Sequence, residues 1–296
     1  VKPVIKTQPI ASAIRMVGGQ LTLSVEVTPQ VAPASNGTLS YQWYQGTEAL
    51  AGQTGASLAL TGLEMAGAGD YKVRVSNAAG FVDSTVSKVR VCEPIVVSPL
   101  SGGGAVFVGK PFTLTASVGP AGTGPFRYQW MLNGKDILRA TGSSYSVPAA
   151  AFTQSGMYSV RVNAVDARNA VLVDVPAVVS AAVEVKVVEA PVIVTQPVSR
   201  YVAEGMNHTV SATVRGTAPM TYQWYRKLKG ATGEGEAIAG ASSASYTLPA
   251  MVKDVAGANP VAGDYWVQAQ NEYGEATSEV ARLWEGGPEV LSLDEL

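Results

Sequence analysis

The tripeptide Tyr-Gln-Trp occurs three times in this chain, at Tyr41-Gln42-Trp43, Tyr128-Gln129-Trp130 and Tyr222-Gln223-Trp224. Downstream of each copy stands a second landmark, Gly69-Asp70-Tyr71, Gly156-Met157-Tyr158 and Gly263-Asp264-Tyr265. Successive tryptophans are 87 and 94 residues apart. A period of that length is a domain and not a solenoid repeat, so the 296 residues read as three copies of one unit. The units are expected at 1–92, 93–189 and 190–284, with 285–296 as a tail or linker.

Each unit repeats the same order of segments. A proline-marked stretch opens it (Pro3-Val4-Ile5, Pro94-Ile95-Val96, Pro191-Val192-Ile193). Proline is tolerated on edge strands, where its missing N–H breaks no ladder. Alternating segments follow, such as Leu21-Thr22-Leu23-Ser24-Val25 and Phe112-Thr113-Leu114-Thr115-Ala116, and again Tyr71-Lys72-Val73-Arg74-Val75 after the second landmark. A period of two buries one face and wets the other. About seven short strands per unit predict an all-β, two-sheet sandwich. Composition agrees: charged residues are 15%, against roughly a quarter in ordinary domains, and 31 Gly and 17 Pro supply turns.

All three units resemble immunoglobulin domains of the I-set type, as found in strings on large secreted bacterial proteins. The resemblance covers roughly residues 3–284 and rests on the tryptophan of the third strand, the Gly-x-Tyr entry to the sixth, and turns such as Asn77-Ala78-Ala79-Gly80. It implies that Trp43, Trp130 and Trp224 fill the sandwich centres. It also implies that Tyr71, Tyr158 and Tyr265 make tyrosine corners, each hydroxyl bonding to backbone just upstream. The fold class is therefore three tandem immunoglobulin-like β-sandwiches.

Two departures from the family pattern stand out. The positions that usually form the inter-sheet disulfide are Val25 with Val73, Ala116 with Val160, and Ala212 with Val267. The inter-sheet disulfide is therefore lacking in every unit. Losing such a bridge costs about 2–5 kcal/mol, which packing must offset; Val–Val fills more space than Ala–Val, so the first unit is expected to be the best filled. Four residues before the corner tyrosine, where the family often has Asp, stand Gly67, Gln154 and Val261. The one cysteine, Cys92, cannot form an internal bridge; it reads as an incidental small residue near a junction, with a reactive thiol as the sharper alternative.

Loops are where sandwiches of this kind carry function. The first unit has a long B–C loop over residues 28–40. The second has a long, apolar F–G connection over 166–179, expected to pack on the first unit or to extend its own hairpin. The third has 13 extra residues between tryptophan and corner tyrosine. About seven lie within 227–236 and the rest around 253–260, and both groups are expected at the C-terminal end of that sandwich. Lys227, Lys229, Glu234, Glu236, Lys253 and Asp254 are the candidate binding residues there; packing against a following domain or the tail is the plainer reading.

The search for chemistry is mostly negative. His208 is the only histidine and takes a position filled by Leu21 and Phe112 in the other units, which reads as a partly buried structural residue. One His and one Cys cannot make a zinc site, and no calcium loop motif occurs. Residues 104–110 match a phosphate-loop spacing up to Lys110, but Pro111 replaces the metal-binding Ser/Thr and a strand follows. Asn36-Gly37-Thr38 and Asn207-His208-Thr209 are glycosylation sequons, relevant only in a eukaryotic secretory host. The C-terminal Asp294-Glu295-Leu296 lacks the residue that would complete an ER-retrieval signal.

A net charge of −2 gives no footprint for nucleic acid, and no apolar run is long enough to insert into a membrane. The opening Val1, without a charged-then-apolar leader, reads as a processed or excised segment whose export signal lies elsewhere. These features lead us to expect no enzyme, no cofactor and no metal. The expected role is an extracellular or cell-surface spacer or adhesion segment of a larger protein, its partners being flanking domains of the same polypeptide and an unknown protein or glycan ligand. The alternatives are a carbohydrate- or protein-binding module using the third unit's loops, or an accessory segment of a secreted enzyme.

Overall fold

The structure, a computed structural model, describes residues 1–28, 37–120, 123–253 and 260–286. The first sandwich contains β1 (Ile5–Thr7), β2 (Ser12–Met16), β3 (Leu21–Ser24), β4 (Glu26–Val27), β5 (Ser40–Gln45), β6 (Glu48–Ala49), β7 (Ser57–Leu60), β8 (Gly69–Asn77), β9 (Gly80–Asp83) and β10 (Ser87–Cys92). The second contains β11 (Val96–Val97), β12 (Gly104–Phe107), β13 (Phe112–Thr115), β14 (Val118–Gly119), β15 (Phe126–Leu132), β16 (Lys135–Asp136), β17 (Ser144–Val147), β18 (Gly156–Ala164), β19 (Val178–Val179) and β20 (Val183–Val188). The third contains β21 (Val192–Thr195), β22 (Arg200–Val202), β23 (His208–Ser211), β24 (Thr213–Arg215), β25 (Thr221–Leu228), β26 (Glu236–Ala237), β27 (Ser245–Leu248), β28 (Gly263–Asn271), β29 (Gly274–Thr277) and β30 (Ala281–Glu285).

The large sheet of the first sandwich runs β2-β10-β8-β5-β6, with β9 on β8, and the other two sandwiches repeat the order. Short ladders β1–β4 and β3–β7 make the facing layer of the first, with the same pairs in the others. By packing, the chain falls into two compact units: residues 1–104, 111–148 and 154–185 in one, and residues 105–110, 149–153 and 186–296 in the other.

The structure has more strands per sandwich than the alternation suggests, because the opening segment changes sheets. β1 pairs antiparallel with β4, whereas β2 pairs in parallel with the last strand, β10. The buried Pro9 stands between them, where a ladder donor is not needed.

The three tryptophans are fully buried, and so are Tyr158 and, to within 2% exposure, Tyr71 and Tyr265. Each tryptophan lies directly across the sheet from the residue in the usual disulfide position: Trp43 from Val73, Trp130 from Val160, Trp224 from Val267. Val25, Ala116 and Ala212, opposite in the other layer, are buried as well, and Cys92 is a free thiol inside β10. Burial pushes that thiol's pKa up, with Arg90 a smaller opposing influence, so Cys92 sits away from the low-pKa surroundings of reactive cysteines.

All three tyrosine corners form. Tyr71 donates to the Gly67 carbonyl at 2.8 Å, Tyr158 to Gln154 at 2.8 Å and Tyr265 to Val261 at 2.7 Å. The acceptors are main-chain oxygens of the residues that stand where the family often has Asp, so the corner does not depend on that side chain.

Other repeated devices were not legible beforehand. The Gln of each Tyr-Gln-Trp donates to two carbonyls at once: Gln42 to Trp43 and Leu50, Gln129 to Trp130 and Ile137, Gln223 to Trp224 and Ile238, all within 2.7–2.9 Å. It staples the tryptophan strand to the segment beside β6, β16 or β26. A serine before the last strand accepts from the buried N–H of Val73, Val160 or Val267, through Ser84, Ser180 and Ser278. The phosphate-loop look-alike belongs to the same set. Gly109 takes φ +77, as Gly18 and Gly205 take +80 and +78. The three N–H groups donate to Ala150, Leu63 and Met251 respectively. Only glycine adopts this turn without strain, and no helix follows it.

The linkers are clamped in the same way. The Glu93 N–H donates to Thr123 Oγ1 at 3.0 Å, and the Glu189 N–H to Thr217 Oγ1 at 2.7 Å. Both threonines stand five residues before the repeated tyrosine, and Thr123 is fully buried. Asn271 adds bonds to the Glu189 and Thr217 carbonyls, and Arg215 pairs with the nearly buried Glu189 carboxylate at 2.9 Å. Thr217→Val removes the acceptor and leaves the Glu189 N–H unpaired, a loss of about 1–3 kcal/mol. Amide exchange at Glu189 is expected to rise about 10- to 100-fold in that variant; an unchanged rate would show that the clamp holds nothing.

The apolar F–G connection of the second sandwich extends its own hairpin, and it reaches the first sandwich through one ion pair. β19 pairs with β18, and Val171 bridges back to Val165, which extends the hairpin. Leu172 and Val175 are buried, while Asp174 lies 3.7 Å from Arg15 of the first sandwich. Val173, at 90% exposure, and Val179, at 54%, stay open.

Candidate functional site

The extended β25 hairpin shapes the end of the third sandwich. β25 and β28 pair from Thr221↔Gln270 to Leu228↔Gly263, which sets Lys227 opposite Asp264. The chain then turns through Gly230, at φ +79, with Ala231 N–H donating to the Leu228 carbonyl. The Lys229 N–H donates to the Ala262 carbonyl at 3.0 Å. The first insertion thus meets the residues just before the corner strand, whereas most of the second, 254–259, lies outside the described residues. Gly263 permits the approach, because a Cβ there would collide with the Lys227 carbonyl.

A cavity of about 190 Å³ opens at this junction, lined by Lys227, Leu228, Lys229, Gly230, Ala231, Gly263, Asp264, Arg282, Leu283 and Trp284. Its floor carries the Arg282–Asp264 pair, with Nε to Oδ1 at 2.8 Å. A neighbouring hollow of about 250 Å³ runs from Arg226 to Glu236 and includes Lys227, Glu234 and Gly235. Glu236 pairs with Arg226 at 2.9 Å. Gly235 lies so close to Trp266 that a Cβ would collide with its ring, and Trp266 stacks on Tyr225 with centroids 5.8 Å apart.

Of the candidate binding residues, the structure brings Lys227 and Lys229 to the first cavity and Glu234 and Glu236 to the second. Lys253 is exposed and lines neither, and Asp254 lies outside the described residues. The long B–C loop of the first sandwich falls largely outside them too, with Asn36 of the first sequon; Asn207 of the second is exposed. Sequence reading missed Arg282, Asp264 and Trp284, which enter the rim through strand pairing and not through any insertion.

The lining offers opposite charges in pairs and short apolar surface, which suits recognition. Among the described residues, no group of three or more His, Cys, Asp and Glu is placed to hold a metal. His208 is half-buried on β23 opposite Leu248; burial, and then Arg200, lower its pKa, so it favours the neutral form. Among the described residues, no helix is long and apolar enough to cross a membrane.

No family model matches the chain. Solved structures do. An I-band fragment of titin, I67-I69, superimposes with a TM-score of 0.68 at 18% identity, over 97% of this chain and 99% of that one. A chain from the complex of Dpr2 Ig1-Ig2 with DIP-Theta Ig1-Ig3 gives 0.57 at 15% identity, over 96% and 99%. The N-terminal eight Ig domains of DSCAM give 0.54 at 17% identity, over 97% of this chain and 37% of that one. At such identities the likeness speaks for architecture alone, and the architecture is that of three tandem immunoglobulin-like sandwiches.

Proposed function

We propose that the chain is a non-catalytic spacer or adhesion segment of a larger bacterial surface or secreted protein, built from I-set-type domains and working outside the cell. The observation that carries this reading is the repeated linker clamp, Glu93 with Thr123 and Glu189 with Thr217. A chain of independent binding modules gains nothing from fixing its connections twice by one device; a segment that sets spacing does. The partners are then flanking domains of the same polypeptide. Solved neighbours described as adhesion molecules or complexes, such as DSCAM and Dpr2 with DIP-Theta, support an adhesion role by analogy of fold.

A second reading is favoured by the two hollows of the third sandwich. There Lys227, Lys229, Glu234 and Glu236 would contact a protein or glycan ligand. Both readings are tested by screening the purified chain on glycan and host-protein arrays beside a variant with residues 229–235 shortened to a two-residue turn. The spacer reading expects no bound ligand. A hit lost on shortening would establish the binding module, and a hit that survives would overturn both assignments.

A further inference from the structure

One position on the last strand of each sandwich is used in the same way at both internal junctions. The strand registers pair Tyr71 with Ser87, Tyr158 with Val183 and Tyr265 with Ala281. Three residues beyond those partners stand Arg90, Lys186 and Trp284. Arg90 of the first sandwich donates to the carbonyls of Thr123 and Gly124 in the second, at 2.7 and 2.6 Å. Lys186 of the second lies over the ring of Tyr273, in the β28–β29 turn of the third, 5.5 Å from its centroid. Phe107 meets the same ring edge-on at 6.2 Å. In each case the position grips the B–C or F–G end of the sandwich that follows.

Trp284 holds this position in the third sandwich. It is 37% exposed and stacks on Tyr201, its cross-strand partner on β22, with centroids 5.0 Å apart; Tyr201 is 55% exposed. Two large aromatic side chains at solvent, rigid and paired, are the composition of a binding anchor and not of an ordinary strand surface. The sequence beyond carries a matching sign. Pro288, Val290 and Ser292 fall at the same distances from Trp284 as Pro94, Val96 and Ser98 fall from Arg90. The pattern that opens the second sandwich is thus repeated in register after the third.

We propose that Trp284 and Tyr201 form the seat for a fourth immunoglobulin-like sandwich of the same polypeptide, docked by its B–C and F–G end. The reading of the chain as an array segment underlies this. Covalent tethering supplies a high effective concentration, so a contact of a few side chains suffices where a free partner would need a much larger interface.

The test follows tryptophan accessibility to acrylamide in a Trp266→Phe background, so that Trp284 dominates the quenching. In the full chain with Lys186→Trp and Trp284→Phe added, the indole at the second junction should be quenched at least about twofold less than Trp284, because the following sandwich covers it. Tyr273→Ala should reopen it. In a chain extended after Gly287 by a second copy of residues 190–286, in which that copy carries Trp266→Phe and Trp284→Phe, the first Trp284 itself should become shielded by about the same factor. An indole at position 186 as open as Trp284 and indifferent to Tyr273→Ala overturns the proposal, and so does undiminished quenching of Trp284 in a folded extended chain. Self-association of the 296-residue chain that Trp284→Ala abolishes would assign the seat to a second copy instead. These outcomes are independent of the ligand arrays, so failure of the seat and failure of the spacer reading are told apart.

Discussion

Trp224→Ala is expected to unfold the third sandwich while the first stays folded. The side chain is fully buried among Val210, Leu248, Tyr265 and Val267, and its indole N–H donates to the Ser243 carbonyl at 2.9 Å. Truncating a buried aromatic of this size costs about 3–5 kcal/mol. That is a large share of the ~5–15 kcal/mol a domain has. The core of the first sandwich draws on residues between Ile5 and Val91, so it has no stake in Trp224. Hydrogen exchange resolved along the sequence should show protection lost across residues 190–286 and kept across residues 1–92. A loss spread evenly over the chain would mean that the sandwiches fold as one cooperative body.

The second large effect is alkaline. Burial pushes Tyr158 to a pKa of about 12, with Tyr145 a smaller contributor in the same direction. Burial likewise pushes Tyr265 to about 12, against a smaller opposing influence from Arg226. In the unfolded chain these phenols ionise near their ordinary value of 10. Between pH 10 and 12 the folded state therefore holds protons that the unfolded state has released, and stability falls as pH rises. Below pH 10 the contribution is fully present. A shift of this size corresponds to a loss of at most about 2 kcal/mol for each of the two sandwiches by pH 12. Denaturant titrations at pH 9 and pH 11.5 should reveal the loss, and Tyr265→Phe should flatten the slope for the third sandwich. Phenolate absorbance from the corner tyrosines that appears in step with free tyrosine, near pH 10, would contradict it.

The residues that announced the fold are those whose chemistry is local and whose spacing repeats. Trp43, Trp130 and Trp224 with their corner tyrosines fixed the sandwich because a large buried ring leaves a mark in any alignment of the units. The apolar replacements for the missing disulfide were readable for the same reason. What escaped notice acts through partners brought close only by folding. Gln42, Gln129 and Gln223 look like polar spacers until the strand beside them supplies a second carbonyl. Thr123 and Thr217 are ordinary loop residues until the linker passes over them. The edge strands β2, β12 and β22 carry little alternation, since each is short, and were absorbed into the opening segment. The candidate rim was half legible. The inserted Lys227 and Lys229 stood out by length comparison, whereas Arg282 and Trp284 are regular strand positions that nothing in the count of residues distinguishes.

The parallel edge has a consequence for a chain under tension. In the first sandwich β2 enters near the N-terminal end and β10 leaves toward the next linker, paired over five residues from Lys88↔Ser12 to Cys92↔Met16. The third sandwich repeats this over three, from Arg200↔Leu283 to Val202↔Glu285. Parallel neighbours that carry the two ends of a sandwich are pulled in opposite directions along their own axes. The load then falls on the whole ladder in shear, and its hydrogen bonds must give way together instead of opening one after another like a hairpin pulled from its free ends. Resistance to such a pull is set by the barrier to the first rupture and not by equilibrium stability. The five-residue ladder of the first sandwich should therefore hold to a higher force than the three-residue ladder of the third.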